Sequence, residues 1–484
     1  MKIYKFFILV SFMAFISSCG DSLAEINVDP NNSPSARPQE VLTSGIGYYA
    51  IALDDNINEQ CALMAQYWAG GPGVAILDHE RYFFEPSDFN AEWTRSYQQS
   101  LSDLSFVIKN GTPAQSGAAQ ILTANIFQTF VDLYGDIPYS EALKGAIDDG
   151  AILTPKYDDA KSIYDDLLVK IDGALANLAK GGALGSEDLI YGGDLAKWAK
   201  FGNSLKLKIL VRQSNLGDAS IAAKIKALVS SASFIESQNE MAKVPFSGGA
   251  ANNWNPQYGA AESGIGMFYV ASKSFTTVLT KLNDKRDAVL FKLAPATNTI
   301  VGMAQGNVND LVSPKPEDFS KPSAVAYGPT NDVILMSHWE VMFLRAEAAL
   351  RYGTADNDKT MYDNAVTAHF SYIGAPGASA YLAADGIYDQ SFTFDAKIGS
   401  IAVQKWISMC GLQEAEGWIE SRRFDIPSTK IFTSAGNGIF TTPTRTVLEN
   451  NVFPTIRLYP QSELSFNPNS PKGRKITDKV FWDN

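Results

Sequence analysis

The most regular hydrophobic pattern in the chain runs through residues 121–134. Its apolar positions recur at helical spacing, at Ile121, Ala124, Phe127, Val131 and Tyr134. One apolar stripe therefore follows the segment for about four turns, which predicts a helix buried against other helices. Gly135 comes next, where a left-handed cap is easiest without a Cβ, and Pro138 cannot continue the helix. The pattern thus predicts a core helix with a sharply defined end.

Helical spacing recurs along the chain, mostly in adjacent pairs of segments. The predicted helices cover residues 92–109, 114–134, 155–180, 195–213, 337–352, 363–372, 399–410 and 412–424. Residues 39–68 show a weaker helical pattern that ends in a Gly-rich loop. Helix pairs of about 35–45 residues are typical of tetratricopeptide-like stacking, although no strict repeat of about 34 residues is present.

Two long stretches, residues 233–333 and 427–484, have no sustained period and are rich in Gly, Asn, Pro and Ser. Their many aromatic and apolar residues argue against disorder, and long irregular stretches inside a compact domain are usually functional. We therefore predict one large domain over 39–484, with helical blocks at 39–232 and 334–426 and ligand binding in the irregular regions. The predicted fold class is all-α dominated.

The N-terminus has the layout of a secretory signal, with Lys2 and Lys5 before an apolar run at 6–16 and two serines. Eleven apolar residues are too few to span a bilayer. Residues 16–19, ISSC, resemble a bacterial lipobox, so we predict a signal peptide at 1–18, lipidation at Cys19 and a solvated tether at 19–38. The alternative is an ordinary cleaved signal with an incidental cysteine.

Composition narrows the classes of partner. The 484 residues are 45% hydrophobic and 19% charged, which is typical of a globular chain. A net charge of −12 and no Lys/Arg stripe make nucleic acid an unsuitable partner. Three histidines and three cysteines stand at no metal-ligand spacing, which argues against a zinc site. Cys61 and Cys410 are interpreted as buried apolar residues, with a disulfide as the alternative.

No catalytic motif emerges from the sequence, whether nucleophile elbow, phosphate loop or metalloprotease signature. Paired acids can in principle serve a glycosidase, but sequence cannot show the separation of two carboxylates across a substrate. We therefore interpret three such pairs as solvated surface: Asp54/Asp55, Asp148/Asp149 and Glu414/Glu416. Residues 356–358 alternate like a calcium loop yet lack its later Gly and Glu, so a polar turn is the simpler interpretation. His338 opens an apolar helix and is interpreted as a packed or capping residue.

The binding candidates are aromatic and polar. Trp254 and Tyr258 stand in a Gly-rich loop with Asn252 and Asn253, and such a loop suits a sugar. Aromatic rings stack on the C–H faces of a pyranose while amides hydrogen-bond its hydroxyls. Alternatively, Trp254 anchors the loop to the body of the protein. A second candidate pair, Tyr67 and Trp68, either lines a cleft or belongs to the core.

Residues 133–142, at the end of the predicted core helix, read LYGDIPYSEA. This motif resembles the LYGDVPYSEA segment of the SusD/RagB family, the outer-membrane nutrient-binding lipoproteins of Bacteroidetes. Further similar phrases are INVDPNN at 26–32, WAKFGNSLKLK at 198–208, EVMFLRAEAAL at 340–350, QKWI at 404–407, ESRRFDIP at 420–427 and FPTIRLYPQSE at 453–463, followed by Asn467. The resemblance covers essentially the whole mature chain.

This resemblance implies a tetratricopeptide-like helical superhelix packed on an irregular, loop-rich subdomain. It also implies a lipid-anchored protein of the outer membrane that is not an enzyme and needs no cofactor. Such a protein captures a glycan or an oligopeptide and delivers it to a partner SusC-like TonB-dependent transporter. The alternatives are a lipid-anchored α-helical enzyme that degrades glycans, and a structural or adhesive surface lipoprotein.

Overall fold

The computed structural model describes residues 36–73, 77–145, 150–262, 268–308, 311–425, 430–434 and 438–483. The predicted signal peptide, the lipidation site at Cys19 and most of the tether lie outside the described residues. The candidate acids Asp148 and Asp149 lie outside them as well.

Helices dominate the described part of the chain. In order they are α1 Pro38–Ile51, α2 Glu59–Met64, α3 Asn90–Trp93, α4 Ser102–Asn110, α5 Pro113–Tyr134, α6 Ala160–Lys180, α7 Leu195–Arg212, α8 Ala219–Ser231, α9 Pro256–Glu262, α10 Lys273–Lys281, α11 Asp287–Leu290, α12 His338–Tyr352, α13 Asp358–Ile373, α14 Ala378–Leu382, α15 Phe394–Met409, α16 Glu414–Phe424 and α17 Gln461–Phe466. Two π-helical segments, Ala52–Asn58 and Thr94–Leu101, join α1 to α2 and α3 to α4. The predicted all-α fold class is confirmed.

Helix α5 has the ends that its sequence predicts. Thr112 and Gln115 form a capping box, in which the Thr112 hydroxyl accepts from the backbone N–H of Gln115 and the Gln115 side chain accepts from that of Thr112. At the other end Gly135 has a φ of 71°, and a Cβ there would lie 3.1 Å from Arg474. Nearly every side chain between these ends is buried, because α5 packs against α4, α6 and α7.

Three predicted helix starts are wrong by several residues. The helix expected from 399 begins at Phe394, because the Thr393 hydroxyl accepts from the backbone N–H of Ala396. The helix expected from 155 begins at Ala160, because residues 157–158 pair as a strand and the Asp159 carboxylate caps the backbone N–H of Ser162. The helix expected from 363 begins at Asp358, because Asn357 accepts from the backbone N–H of Thr360. Residues 356–358 are therefore the polar turn that their sequence suggests, and Arg345 pairs with Asp356 at 2.7 Å.

Adjacent helices pack as hairpins, α5 on α6, α7 on α8, α12 on α13 and α15 on α16. Their apolar faces meet in one contiguous core that includes residues of both helical blocks, such as Trp198 and Trp406. His338 is the first residue of α12 and lies against Trp339, with ring centroids 5.2 Å apart.

Short antiparallel strand pairs join the region 233–333 to the helical body. Strand β1 Trp68–Gly70 pairs with β5 Tyr269–Ala271, and β4 Ala242–Val244 pairs with β6 Val333–Met336. The third pair is β2 Ile137–Pro138 with β3 Tyr157–Asp158, directly after α5. The region also contains α9, α10 and α11, so its chain is folded tightly onto the body although its sequence shows no period.

The thiols of Cys61 and Cys410 are buried and free. Burial raises the pKa of Cys61 to about 11, which keeps this thiol protonated and unreactive at neutral pH. The disulfide considered for this pair is therefore not formed.

Among the described residues, no helix combines the length and the apolar character needed to cross a bilayer.

Candidate functional site

Charged residues of the helical motifs meet inside the protein. The ion pairs of this buried network join Lys208, Arg212, Lys405 and Arg423 to Asp132, Glu340, Glu347, Glu416 and Glu420. All nine residues are at most 6% exposed. Most belong to the motifs around 133, 198, 340, 404 and 420, so the residues that carry the family resemblance hold the helices together.

The prediction that the paired acids are solvated surface is wrong for three of them. Asp54, Glu414 and Glu416 are 5%, 1% and 5% exposed. Glu416 is part of the buried ion network, and Asp54 accepts hydrogen bonds from the side chains of Asn58 and Asn255. Asp55 remains partly exposed and pairs with Arg95 at 2.5 Å. Local sequence cannot show such burial, because the compensating partners are distant along the chain.

Three half-buried aromatic rings lie side by side on the surface, and we call Trp254, Tyr258 and Tyr327 the aromatic surface. The ring centroids of Trp254 and Tyr258 are 5.3 Å apart, and those of Tyr258 and Tyr327 are 5.8 Å apart. Tyr327 in turn meets the edge of the buried Trp68 ring at 5.4 Å. A continuous line of rings therefore runs from the surface loop into the core.

The loop that carries Trp254 is closed by its own hydrogen bonds. The Trp254 indole N–H donates to the carbonyl of Gly248 at 3.1 Å, and the backbone N–H of Gly248 donates to the carbonyl of Asn253. Gly248 has a φ of 70°, and a Cβ there would lie 2.4 Å from the Thr330 side chain, so this turn requires glycine. Asn252 and Asn253 are exposed on the same loop, which leaves their amides free to face a ligand.

Asn255 fixes the loop to the body. Its backbone N–H donates to the carbonyl of Pro329 at 2.9 Å, and its side-chain oxygen accepts from the backbone N–H of Tyr258 at 3.0 Å. The Tyr327 hydroxyl donates to the carbonyl of Gln257 at 3.2 Å. These contacts hold the loop and the Tyr327 segment against each other, although they are about seventy residues apart in sequence.

Tyr67 and Trp68 belong to the core and do not line a cleft, since both side chains are 0% exposed. The Tyr67 hydroxyl donates to the carbonyl of Trp406 at 2.6 Å, and its ring stacks on the Trp406 ring. Trp68 lies behind Tyr327 and Tyr269 and supports them. Of the six predicted ligand residues, the structure places Trp254, Asn252 and Asn253 on the loop. Tyr258 was predicted to lie in the same loop but belongs to α9, the short helix that begins directly after Asn255.

Tyr327 is a candidate that sequence reasoning missed. The sequence did indicate Tyr327, because this aromatic residue stands before the loop-forming residues Gly328 and Pro329, in a context similar to that of Trp254. What the sequence did not reveal is that this second loop folds beside the first.

The electrostatic surroundings of the aromatic surface are acidic. Glu59 accepts from the Tyr269 hydroxyl at 2.9 Å, and burial raises the pKa of Glu59. Burial likewise raises the pKa of Asp54 to about 6. Burial and the nearby carboxylates Glu59, Glu262 and Asp54 raise the pKa of Tyr327, so its hydroxyl stays protonated and can donate or accept a hydrogen bond.

A separate concavity of about 1040 Å³ lies between the π-helical segment Thr94–Leu101, α4 and α17. Trp93 and Tyr97 form its floor, but these rings are only 3% and 8% exposed. Leu153 and Phe466 stand exposed at its rim.

In the part of the chain that the structure describes, no group of three or more His, Cys, Asp or Glu side chains is placed to hold a metal ion.

A sequence model of the SusD-like family, described as starch-binding and associating with the outer membrane, matches residues 30–458. Among solved structures, a SusD homolog from Bacteroides uniformis aligns at a TM-score of 0.76 and 20% identity, over 92% of this chain and 99% of its own. A chitin-binding protein aligns at 0.75 and 24% identity, over 93% and 100% of the two chains.

A chitin-binding SusD homolog from Flavobacterium johnsoniae aligns at a TM-score of 0.74 and 20% identity, over 92% of this chain and 98% of its own. A search among curated proteins returned no match. The likeness to these structures establishes the fold, and the sequence match spans most of the chain. The chain therefore belongs to the SusD-like family, a family of starch-binding proteins that associate with the outer membrane.

Proposed function

We propose that this protein is a lipid-anchored glycan-binding protein of the outer membrane that holds an oligosaccharide on the aromatic surface. The observation that carries the proposal is the placement of Trp254, Tyr258 and Tyr327, three adjacent half-buried rings from two separate segments of the chain. Sugar rings present flat C–H faces that stack on such side chains, while the exposed amides of Asn252 and Asn253 suit sugar hydroxyls. The chitin-binding relatives support a glycan as the ligand class.

Titration of the mature protein with neutral oligosaccharides tests this site. Trp254→Ala should weaken binding by roughly 1–3 kcal/mol, or about 5- to 150-fold, because a large apolar face is lost. Tyr327→Ala should act in the same direction. Unfolding should barely change for Trp254→Ala, since the ring is half-buried; a loss of about 3–5 kcal/mol in stability would instead mark it as a core anchor.

Phe466→Ala is a matched control, because Phe466 is an aromatic ring that is 82% exposed at the separate concavity. It should leave the affinity unchanged. If Phe466→Ala weakens binding and Trp254→Ala does not, the ligand lies in the concavity and the aromatic surface is not the site. Binding of oligopeptides without any oligosaccharide would contradict the glycan assignment.

We also propose that the captured glycan passes to a SusC-like TonB-dependent transporter. The family's association with the outer membrane supports this step, because a binding protein on that membrane needs a channel to move its ligand inward. Affinity purification of the tagged protein in mild detergent should return a large outer-membrane barrel protein in stoichiometric amount. Repeated recovery of the protein without such a barrel would contradict the proposal.

An enzymatic role is the competing function. Incubation of the protein with oligosaccharides that it binds should give no shorter products, because neither the sequence nor the described structure shows a catalytic constellation around the aromatic surface. Turnover that Trp254→Ala abolishes would favour the glycan-degrading alternative.

A further inference from the structure

Three carboxylates surround the aromatic surface at different depths. Glu59 lies behind it and accepts from the Tyr269 hydroxyl, whose ring is 5.5 Å from that of Trp68. Asp54 lies beneath Asn255, at the base of the loop. Glu262 is exposed at the C-terminal end of α9, the helix that carries Tyr258. Glu262 stands four residues after Tyr258, which places the two residues on the same side of α9. Burial, together with the charges of Glu59, Glu262 and Asp54, raises the pKa of the Tyr327 hydroxyl.

Few positive charges offset these carboxylates. Within the described ranges, no Lys or Arg side chain forms an ion pair with Glu59, Asp54 or Glu262. Arg95, a nearby cation, pairs with Asp55 at 2.5 Å, and His79 lies 3.2 Å from Asp88. Both of these groups therefore already have an acidic partner. The carboxylates beside the aromatic surface thus have no ion-paired cation among the described residues, in a chain whose net charge is −12.

We infer that the aromatic surface selects neutral and amine-bearing oligosaccharides and excludes those that carry carboxylate or sulfate groups. This inference rests on the proposed function, since it names the class of glycan bound at the same site. An acidic sugar stacked on the rings would approach both the negative face of each ring and several carboxylates that have no cationic partner. Repulsion of this kind is a usual source of specificity between related ligands.

A sugar amine experiences the opposite effect. It is attracted by the carboxylates that repel an acidic sugar, and an ammonium group over an aromatic face gains a cation–π interaction. The inference therefore predicts an order of affinity and does not merely exclude one class. Partly deacetylated glycans should bind at least as tightly as their neutral parents, and uronic acid oligomers should bind least.

The test is calorimetric titration of the full mature protein with tetrasaccharides of N-acetylglucosamine, glucose, glucosamine and galacturonate at low ionic strength. We expect the galacturonate oligomer to bind at least tenfold more weakly than the tighter of the two neutral oligomers. The glucosamine oligomer should match or exceed that neutral oligomer. Added salt should narrow the differences, because exposed charges are screened over about 8–10 Å. A galacturonate oligomer that binds as tightly as the neutral ones would overturn the inference.

Charge-neutralising variants test whether the carboxylates beside the aromatic surface cause the selection. Glu262→Gln changes an exposed side chain, so it should fold normally and should reduce the preference for neutral over acidic sugar by about two- to fivefold. Glu59→Gln should act in the same direction. Asp165→Asn removes the same charge from the surface of α6, where Asp165 pairs with Lys161, and should leave the preference unchanged. An equal change in all three variants would overturn the inference.

Trp254→Ala distinguishes a failure of the charge selection from a failure of the proposed binding site. If the neutral oligomers bind, Trp254→Ala weakens them and the galacturonate oligomer binds equally well, the site is correct and only the charge selection is wrong. If no oligosaccharide binds, or Trp254→Ala leaves a measured affinity unchanged, the proposed site fails and the inference fails with it.

Discussion

The side-chain amide of Asn255 donates a hydrogen bond across 2.5 Å to Oδ2 of Asp54, two hundred and one residues away in sequence. Both residues are 5% exposed. Asp54 belongs to the π-helical segment Ala52–Asn58, and Asn255 immediately precedes α9. This contact therefore ties the loop of Trp254 and the start of α9, which carries Tyr258, to the helical body, and it fixes the position of the aromatic surface.

We predict that Asn255→Ala weakens glycan binding without removing any group that touches the ligand. The substitution leaves a buried carboxylate oxygen of Asp54 without its donor, which should reduce the free energy of unfolding by roughly 1–3 kcal/mol. The loop should also lose its fixed orientation. Asn252→Ala is the matched control, because Asn252 is an exposed amide of the same loop and its loss should not change stability. Equal melting temperatures for the two variants would contradict the prediction.

The imidazole of His338 should make the protein less stable in acid. Burial lowers the pKa of His338 from 6.5 to about 4, so the ring stays neutral in the folded protein while it protonates in the unfolded chain. The unfolded state therefore binds more protons between these values, and stability is lost as the pH falls from 6.5 towards 4. From pH 7 to pH 4.5 this group should account for about 2–3 kcal/mol of lost stability.

The measurement is denaturant unfolding of the wild type and of His338→Phe at both pH values. The variant has no imidazole at this position and should lose less stability on acidification than the wild type. Parallel pH profiles for the two proteins would show that His338 does not titrate in this range.

Arg457 and Glu92 form a buried ion pair, and they should contribute most to the stability of the fold when both are present. The Arg457 guanidinium binds the Glu92 carboxylate and also donates to the carbonyl of Ile57 at 3.0 Å, and both side chains of the pair are 0% exposed. Arg457→Met leaves an uncompensated buried charge and should cost about 3–5 kcal/mol of stability. The double variant Arg457→Met with Glu92→Gln should recover a substantial part of that loss.

A double-mutant cycle measured by chemical unfolding checks this prediction. Additive effects of the two substitutions would mean that the residues act independently. The pair matters for the architecture because it joins the C-terminal segment to α3, and the backbone N–H of Arg457 donates to the carbonyl of Leu133 at the end of α5.

Cys19→Ala should release the protein from membranes or leave it unprocessed, because the predicted anchor is the lipid on this thiol. Membrane fractionation and mass spectrometry of the mature wild type check this expectation. Cys410→Ala should leave localisation unchanged, since this thiol is buried in the folded domain. A wild type without acyl mass, together with a Cys19→Ala variant that remains in the outer membrane, would contradict lipidation.

The apolar periodicity and the family-like motifs of the sequence predicted most of the helices and identified the chain as a member of the SusD-like family. Periodicity depends only on neighbours along the chain, so the extent of α5 and its end at Gly135 could be predicted closely. Helix starts at Ala160 and Asp358 could not, because a capping side chain competes with the apolar pattern. The candidates Trp254 and Tyr258 were also visible locally, since they stand only four positions apart in the sequence.

What lies beside those residues depends on the fold of the whole chain. Tyr327 becomes a candidate because its loop folds against the first. Tyr67 and Trp68 are buried by distant residues, Tyr67 by Trp406 and Trp68 by Tyr269 and Tyr327. The burial of Asp54 and Glu416 likewise depends on partners far along the chain, Asn255 for one and Lys208 and Lys405 for the other. A charged residue in a sequence looks solvated until the fold supplies its partner, because the favourable interaction that offsets desolvation is not local.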